Sequence, residues 1–215
     1  MYTLFGCKGS GSAAVECALE MTGAPYRIVE TASWKKGQAL AELERVNPLR
    51  QIPTLRLPDG TVLSESAAIL MHLGLAFPSS GLLPAAPNER DLALRGLVYI
   101  AANCYACITV LDYPERFTTQ TDDAALAAIR KGAKQRLHKH WDVFADLYPV
   151  ADGRFIAGHR PGALDLLAAV VSKWSGTRKH VKASRPAFSA LVERIDSHPA
   201  VARVLGRHWP RPTGA

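Results

Sequence analysis

The chain has 215 residues, 48% of them hydrophobic and 21% charged, with four cysteines and a formal charge of +7. That length makes one large domain or two small ones, and the balance excludes a disordered chain, a collagen-like chain and a disulfide-stapled miniprotein. The positive charge does not point to nucleic acid. Lysines and arginines are scattered, and the densest stretch, Arg130 to His140, alternates with apolar residues as an amphipathic helix does. An anionic small ligand fits the charge as well.

The opening MYTLFG carries no basic segment followed by a long apolar core, and no run of about 18 apolar residues occurs. The sequence therefore predicts a cytoplasmic protein that engages no membrane and keeps its thiols reduced.

In chain order, Tyr2 to Phe5 is a short β-favouring run, followed by Ala14, Val15, Ala18 and Leu19 at helical spacing up to a stop at Gly23. Tyr26 to Glu30 reads as a second strand with Tyr26 and Ile28 on one face. Gln38 to Val46 reads as a second helix ending near Asn47-Pro48. Thr54 to Leu57 and Thr61 to Leu63 flank Pro58-Asp59-Gly60, a tight-hairpin signal, and Glu65 to Ala76 closes the unit as a helix. The order βαβ then ββα suits one four-stranded sheet over residues 1 to 76. Residues 77 to 87 hold three prolines, a glycine and two serines and read as a linker. Residues 88 to 215 are helical throughout. Asn88 can cap the first helix there, which runs to about Tyr113-Pro114. Asp122 to Leu147, Ala163 to Thr177, Pro186 to Ser197 and Pro199 to Gly206 follow as further helices.

The run Asn47-Pro48-Leu49-Arg50-Gln51-Ile52-Pro53-Thr54-Leu55, then Asp59-Gly60 and Leu63-Ser64-Glu65-Ser66-Ala67-Ala68-Ile69-Leu70, resembles the glutathione-binding half of cytosolic glutathione transferases. Ala157-Gly158 and Ala163-Leu164-Asp165 resemble the buried capping motif of that family's helical domain, although Gly162 stands where a Ser or Thr is usual. The resemblance implies a thioredoxin-like α/β domain followed by an all-α domain, a homodimer, a cis peptide bond before Pro53, and glutathione as co-substrate without a metal.

The residues themselves carry a consistent chemistry. Pro53 has no N–H and pushes Ile52 toward β geometry, which leaves the Ile52 backbone groups to pair with a peptide-like ligand. Ser64, Glu65 and Ser66 open a helix whose free N–H groups attract a carboxylate, while Glu65 offers an anion to an ammonium group. Both charges occur on the γ-glutamyl end of glutathione. By the resemblance, Gln51 adds an amide contact, and Lys35 or Lys36, near Trp34, reaches the glycyl carboxylate; ordinary surface lysines are the alternative.

Gly6-Cys7-Lys8-Gly9-Ser10-Gly11-Ser12-Ala13 puts three candidates at a helix N-terminus, where the dipole favours a thiolate. The Gly9-Ser10 spacing resembles the serine-type transferases and points to Ser10. Ser12 is the alternative, since it can instead be the helix cap, and Cys7 is third. The cysteine-type bacterial class has its cysteine one place after Ser10, where Gly11 stands. Cys104-Tyr105-Ala106-Cys107 falls inside a long helix with no second ligand pair, which argues against zinc or redox chemistry. His138 and His140 are two apart and face different sides. A second substrate belongs between the domains, with Tyr99, Asn103, Tyr105, Cys107 and Tyr113 as candidates to line its pocket and Arg116 and Trp174 further off. The expected activity is conjugation of glutathione to a hydrophobic electrophile. A glutathione-dependent disulfide or peroxide reductase, or a non-catalytic binding protein, are the alternatives.

Overall fold

The computed structural model describes residues 1–149, 151 and 153–210. Strands β1 (Tyr2–Gly6), β2 (Tyr26–Glu30), β3 (Thr54–Arg56) and β4 (Val62–Leu63) form one sheet in the order β2-β1-β3-β4. β1 and β2 are parallel, Leu4 opposite Ile28, and such a pair needs a crossover, supplied by α1 (Ser12–Thr22). β3 runs antiparallel to β1 and β4 antiparallel to β3, joined by the Asp59-Gly60 turn, in which Asp59 Oδ1 accepts the Thr61 N–H at 2.9 Å. α2 (Gln38–Val46) buries only Leu43, whereas α3 (Ser66–Ala76) packs against α1.

α1 is the interface of the whole molecule. Its residues Ser12 to Leu19 are all buried, between the sheet and α3 on one side and two helices of the second half on the other. Small residues make this possible: Ser12, Ala13, Ala14 and Ala18 let neighbouring backbones approach.

The second half comprises α4 (Pro87–Tyr99), a π-helical turn over Ile100–Tyr105, α5 (Ala106–Asp112), α6 (Asp123–Leu147), α7 (Ala163–Val171), α8 (Thr177–Ser184), α9 (Pro186–Ser197) and α10 (Pro199–His208). Pro87 to Asp112 is one continuous helix. An 18-residue window of it has mean hydropathy 1.5, so by length and composition it is long and apolar enough to cross a membrane; here it packs against α6 and α7. α4 starts at Pro87 rather than after an Asn88 cap: Pro87 occupies the first turn and Ala86 makes no side-chain cap. The helix expected from Ala163 to Thr177 stops at Val171, because Ser175 (φ 59°) and Gly176 (φ 77°) turn the chain into α8. α10 continues two residues beyond Gly206, to His208.

α7 is buried along its full length, and Asp165 in its first turn organises the surrounding loops. The Asp165 carboxylate accepts the N–H groups of Ile156 at 2.8 Å, Ala157 at 3.1 Å and Gly162 at 2.9 Å. Burial pushes its pKa up to about 6 against the pull of these donors, which leaves it ionised at neutral pH. Packing accounts for the missing hydroxyl at position 162. A Cβ there would lie 2.6 Å from the Ala157 Cβ and 2.8 Å from the Leu82 carbonyl oxygen. Replacing Asp165 by Ala strands one buried and two half-buried N–H groups at about 1 to 3 kcal/mol each. A loss of at least about 3 kcal/mol in urea denaturation is expected; a loss under 1 kcal/mol contradicts the role.

Candidate active site

Three segments of the first half meet at the same end of the strands, where Phe5 pairs with Thr54 and Leu55 with Leu63: the loop from β1 into α1, the loop from α2 into β3, and the start of α3.

In the first loop, Ser10 Oγ donates to the Cys7 carbonyl at 2.8 Å and accepts from the Ser12 N–H at 3.2 Å. Ser12 Oγ lies 2.8 Å from Ser10 Oγ and 3.2 Å from the same carbonyl. Ser12 is the inner hydroxyl, 2% exposed against 9% for Ser10, and it sits over Gly6, where no side chain fits. The Cys7 thiol is buried, and burial pushes its pKa up despite opposing help from Ser10 and Lys35.

A partner 199 positions away in sequence holds this loop. The Gly9 N–H donates to His208 Nδ1 at 3.2 Å, so Nδ1 carries no hydrogen; Nε2 then donates to Glu16 Oε2 at 2.7 Å. Arg207 also donates to Glu16, from Nε at 3.1 Å and from its terminal nitrogen. Burial raises the Glu16 pKa, but the hydrogen bonds from His208 and Arg207 and the Arg207 charge outweigh it and the net shift is downward. Sequence reasoning missed His208, because nothing local marks a contact so distant along the chain.

In the second loop the Ile52–Pro53 peptide bond is cis. Buried Asn47 braces the loop: its side-chain amide donates to the Gln51 carbonyl at 3.2 Å and to Thr54 Oγ1 at 2.9 Å, while its Oδ1 accepts the Leu49 N–H at 3.1 Å. Asn47 stands in the motif, but its sequence context marks only a helix end and gives no sign of these three bonds. Among the described residues the Ile52 N–H and C=O have no hydrogen-bond partner, and the Gln51 side chain is exposed.

At the third segment α3 begins at Ser66, and Glu65 precedes it with φ 65° and ψ 110°. A non-glycine residue held at positive φ costs of order 1–3 kcal/mol and is found chiefly where function demands it. Glu65 is exposed; Ser66 is buried, and its hydroxyl has no partner among the described residues. Lys35 pairs with Glu30 at 2.7 Å at the end of β2 and, with Lys36 and Trp34, lies on the surface.

On the helical side the pocket candidates separate. The Tyr99 hydroxyl donates to the His140 carbonyl of α6 at 3.1 Å, and the Asn103 amide donates back to the Tyr99 carbonyl at 3.1 Å, so both are engaged within the helical half. Cys107 is buried, and Tyr113 carries the Arg116 guanidinium 3.9 Å from its ring centre. Tyr105 reaches the first half: a Cβ on Gly11 would overlap its hydroxyl and lie 3.3 Å from its Cζ. Trp174 packs against the Tyr105 ring with centroids 5.8 Å apart.

A small mixed sheet flanked by helices, joined to an all-helical unit, is the glutathione transferase architecture. A model described as the glutathione S-transferase N-terminal domain matches residues 12–75. An uncharacterized GST-like protein of Escherichia coli is 36% identical over 209 residues, covering 97% of this chain and 98% of that one. The glutathione S-transferase GstA of Escherichia coli is 26% identical over 204 residues, covering 94% and 96%. A sphingomonad glutathione S-transferase solved with glutathione is 27% identical with a TM-score of 0.71, covering 94% and 96%. The chain belongs to the glutathione S-transferase family.

The buried Glu16 cluster gives a pH signature. Because the folded pKa of Glu16 is depressed, its contribution is present above the unfolded value, about 4.3, and is lost as pH falls through the lower folded value. Glu16→Gln is expected to cost about 3 kcal/mol or more near neutral pH, with the gap to wild type closing in acid. A gap that stays constant on acidification in urea denaturation contradicts the assignment.

Proposed function

We propose that the protein binds glutathione at these three segments, ionises its thiol and conjugates it to a hydrophobic electrophile in the cytoplasm. The observation that carries this reading is a set of groups without partners among the described residues: the Ile52 backbone, the Ser66 hydroxyl and the Glu65 carboxylate. They match the cysteinyl backbone, the γ-glutamyl carboxylate and the γ-glutamyl ammonium of the tripeptide, with Pro53 holding Ile52, Gln51 adding an amide and Lys35 serving the glycyl carboxylate.

Ser10 is the residue proposed to face the sulfur. A free thiol with a pKa near 8.5 needs about 2.7 kcal/mol to drop by two units. A hydrogen bond to a charged group supplies about 1.5 to 3 kcal/mol, and a helix N-terminus about 0.3 to 1 kcal/mol. Ser12 Oγ, already 3.2 Å from the Cys7 carbonyl, can take over that acceptor when Ser10 turns to the ligand. Conjugation is favoured over disulfide exchange, because position 11 is glycine and the Cys7 thiol is buried with a raised pKa, a poor nucleophile.

Glu65→Ala and Ser66→Ala should each weaken glutathione binding by roughly tenfold to a hundredfold in calorimetry, and unchanged affinity in both would overturn the reading. Ser10→Ala should retain binding but raise the bound-thiol pKa, read from thiolate ultraviolet absorbance. Turnover of a haloaromatic acceptor supports conjugation; turnover of hydroxyethyl disulfide alone supports the reductase.

A homodimer is proposed on the family's pattern and on the exposed apolar side chains Leu75, Leu92 and Val98 of α3 and α4. Light scattering should give about twice 23.3 kDa; the monomer mass at micromolar concentration would overturn it.

A further inference from the structure

Gly9, the residue before Ser10, sits at φ 71° in a turn that the Ser10 N–H closes on the Cys7 carbonyl at 3.3 Å. Glycine takes positive and negative φ with nearly equal ease, so closing the turn does not by itself fix the Lys8–Gly9 peptide plane. The turn consumes the Ser10 N–H and leaves the Gly9 N–H over, and that is the group His208 Nδ1 accepts at 3.2 Å. A hydroxyl contributes its full hydrogen bond to a developing anion only when it is held in direction beforehand.

Docking of α10 does not account for an imidazole at position 208. Arg207 donates to Glu16 from two nitrogens, so the buried carboxylate has a cationic partner without His208. Its second oxygen, 2.7 Å from His208 Nε2, would be satisfied by any side chain with a donor there. What the imidazole adds is an acceptor on the far side of the same rigid ring, and that acceptor meets the Gly9 N–H. His208 is 7% exposed, which keeps water from competing for the bond. The chain beyond it is seated as well: Trp209 Nε1 lies 3.8 Å from where a Gly9 Cβ would stand, and Lys173 Nζ, paired with Asp196 at 2.6 Å, is 5.2 Å from the centre of the Trp209 ring.

We infer that His208 is a positioning residue for the thiol site: Nε2 docks α10 on Glu16, while Nδ1, through the Gly9 amide, sets the direction in which Ser10 presents its hydroxyl to the glutathione sulfur. The assignment rests on the glutathione reading and goes beyond it by placing a determinant of thiol ionisation in α10, at the other end of the chain. The role belongs to the neutral ring, because a hydrogen on Nδ1 would face the Gly9 N–H donor to donor.

The two ring nitrogens can be replaced one at a time. His208→Asn keeps an acceptor near the Nδ1 position and loses the donor to Glu16; His208→Gln keeps a donor near Nε2 and loses the acceptor. The test is a pH titration of thiolate absorbance for the glutathione complexes of wild type and both variants, beside urea denaturation and calorimetry with S-methylglutathione, which has no thiolate. His208→Gln should be the more stable variant and yet raise the bound-thiol pKa by about one unit, a tenfold loss of thiolate. Its S-methylglutathione affinity should be unchanged, and its deficit in turnover of a haloaromatic acceptor should vanish at alkaline pH. His208→Asn should be the less stable variant and keep the wild-type thiol pKa. If His208→Gln titrates as wild type, or if the two variants lose thiolate in the order in which they lose stability, His208 only docks α10 and the assignment is overturned. Should His208→Asn not fold, the titration and alkaline recovery of His208→Gln decide alone. A wild type that binds neither glutathione nor S-methylglutathione overturns the glutathione reading and this assignment together; one that binds both while His208→Gln titrates like it overturns this assignment alone.

Discussion

A carboxylate buried in the middle of α1 sets the terms for the rest of the molecule. Glu16 lies on a helix whose first eight residues are all shielded from solvent, and a charge in such a place is tolerated only when it is paired and hydrogen-bonded. Both partners come from α10, the last described helix, through His208 and Arg207. The first half therefore does not complete its own core: without α10 the helix that carries the thiol site would hold an uncompensated charge. His208 transmits the consequence, since its Nε2–H is committed to Glu16, and its Nδ1 is left as the acceptor that fixes the Gly9 N–H. Docking of the two halves and the shape of the loop around Ser10 are thus one event.

The connection between the halves is fixed by the same logic of backbone pairing. The Ala163 N–H at the head of α7 donates to the Leu82 carbonyl at 2.7 Å, so the proline-rich segment is tied to the most buried helix of the second half. Asp165, one turn on, gathers the loop before α7. With α7 packed on α1 and α4, the helix bearing Tyr105 has a set position relative to Gly11. That position is what brings a hydroxyl of one half into the space beside Gly11 of the other.

Much of this was legible because it is written in local chemistry. Gly23 stops α1 in a left-handed conformation, Asp59-Gly60 turns the hairpin, and prolines open α9 and α10; β2, α2 and α9 have the bounds that their residues suggest. The failures share a physical cause. α8 is polar, burying only Thr177 and Val181, so it offers no apolar stripe to read, and the Ser175-Gly176 break before it was absorbed into a longer helix. A π-helical turn leaves no mark in composition, and Tyr105 therefore read as one more pocket aromatic. At the site, the sequence pointed to hydroxyls at a helix start but not to where their hydrogens go. It gave no sign of His208, whose contact with Gly9 joins opposite ends of the chain.

The hydrogens decide how one serine can serve a ligand. Ser10 and Ser12 each have one, and the Cys7 carbonyl is the acceptor they share. With Ser12 absent, a Ser10 that turned toward an anion would leave that buried carbonyl with only the Ser10 N–H, at 3.3 Å, and the weakened pairing would offset part of the roughly 1.5 to 3 kcal/mol that the new charged hydrogen bond contributes. With Ser12 in place, its own hydrogen moves from Ser10 Oγ to the Cys7 carbonyl, and Ser10 is released with no buried group left unsatisfied. The same rearrangement explains why the inner serine is packed so tightly over Gly6: a hydroxyl that must hold an acceptor in both states belongs where solvent cannot compete for it.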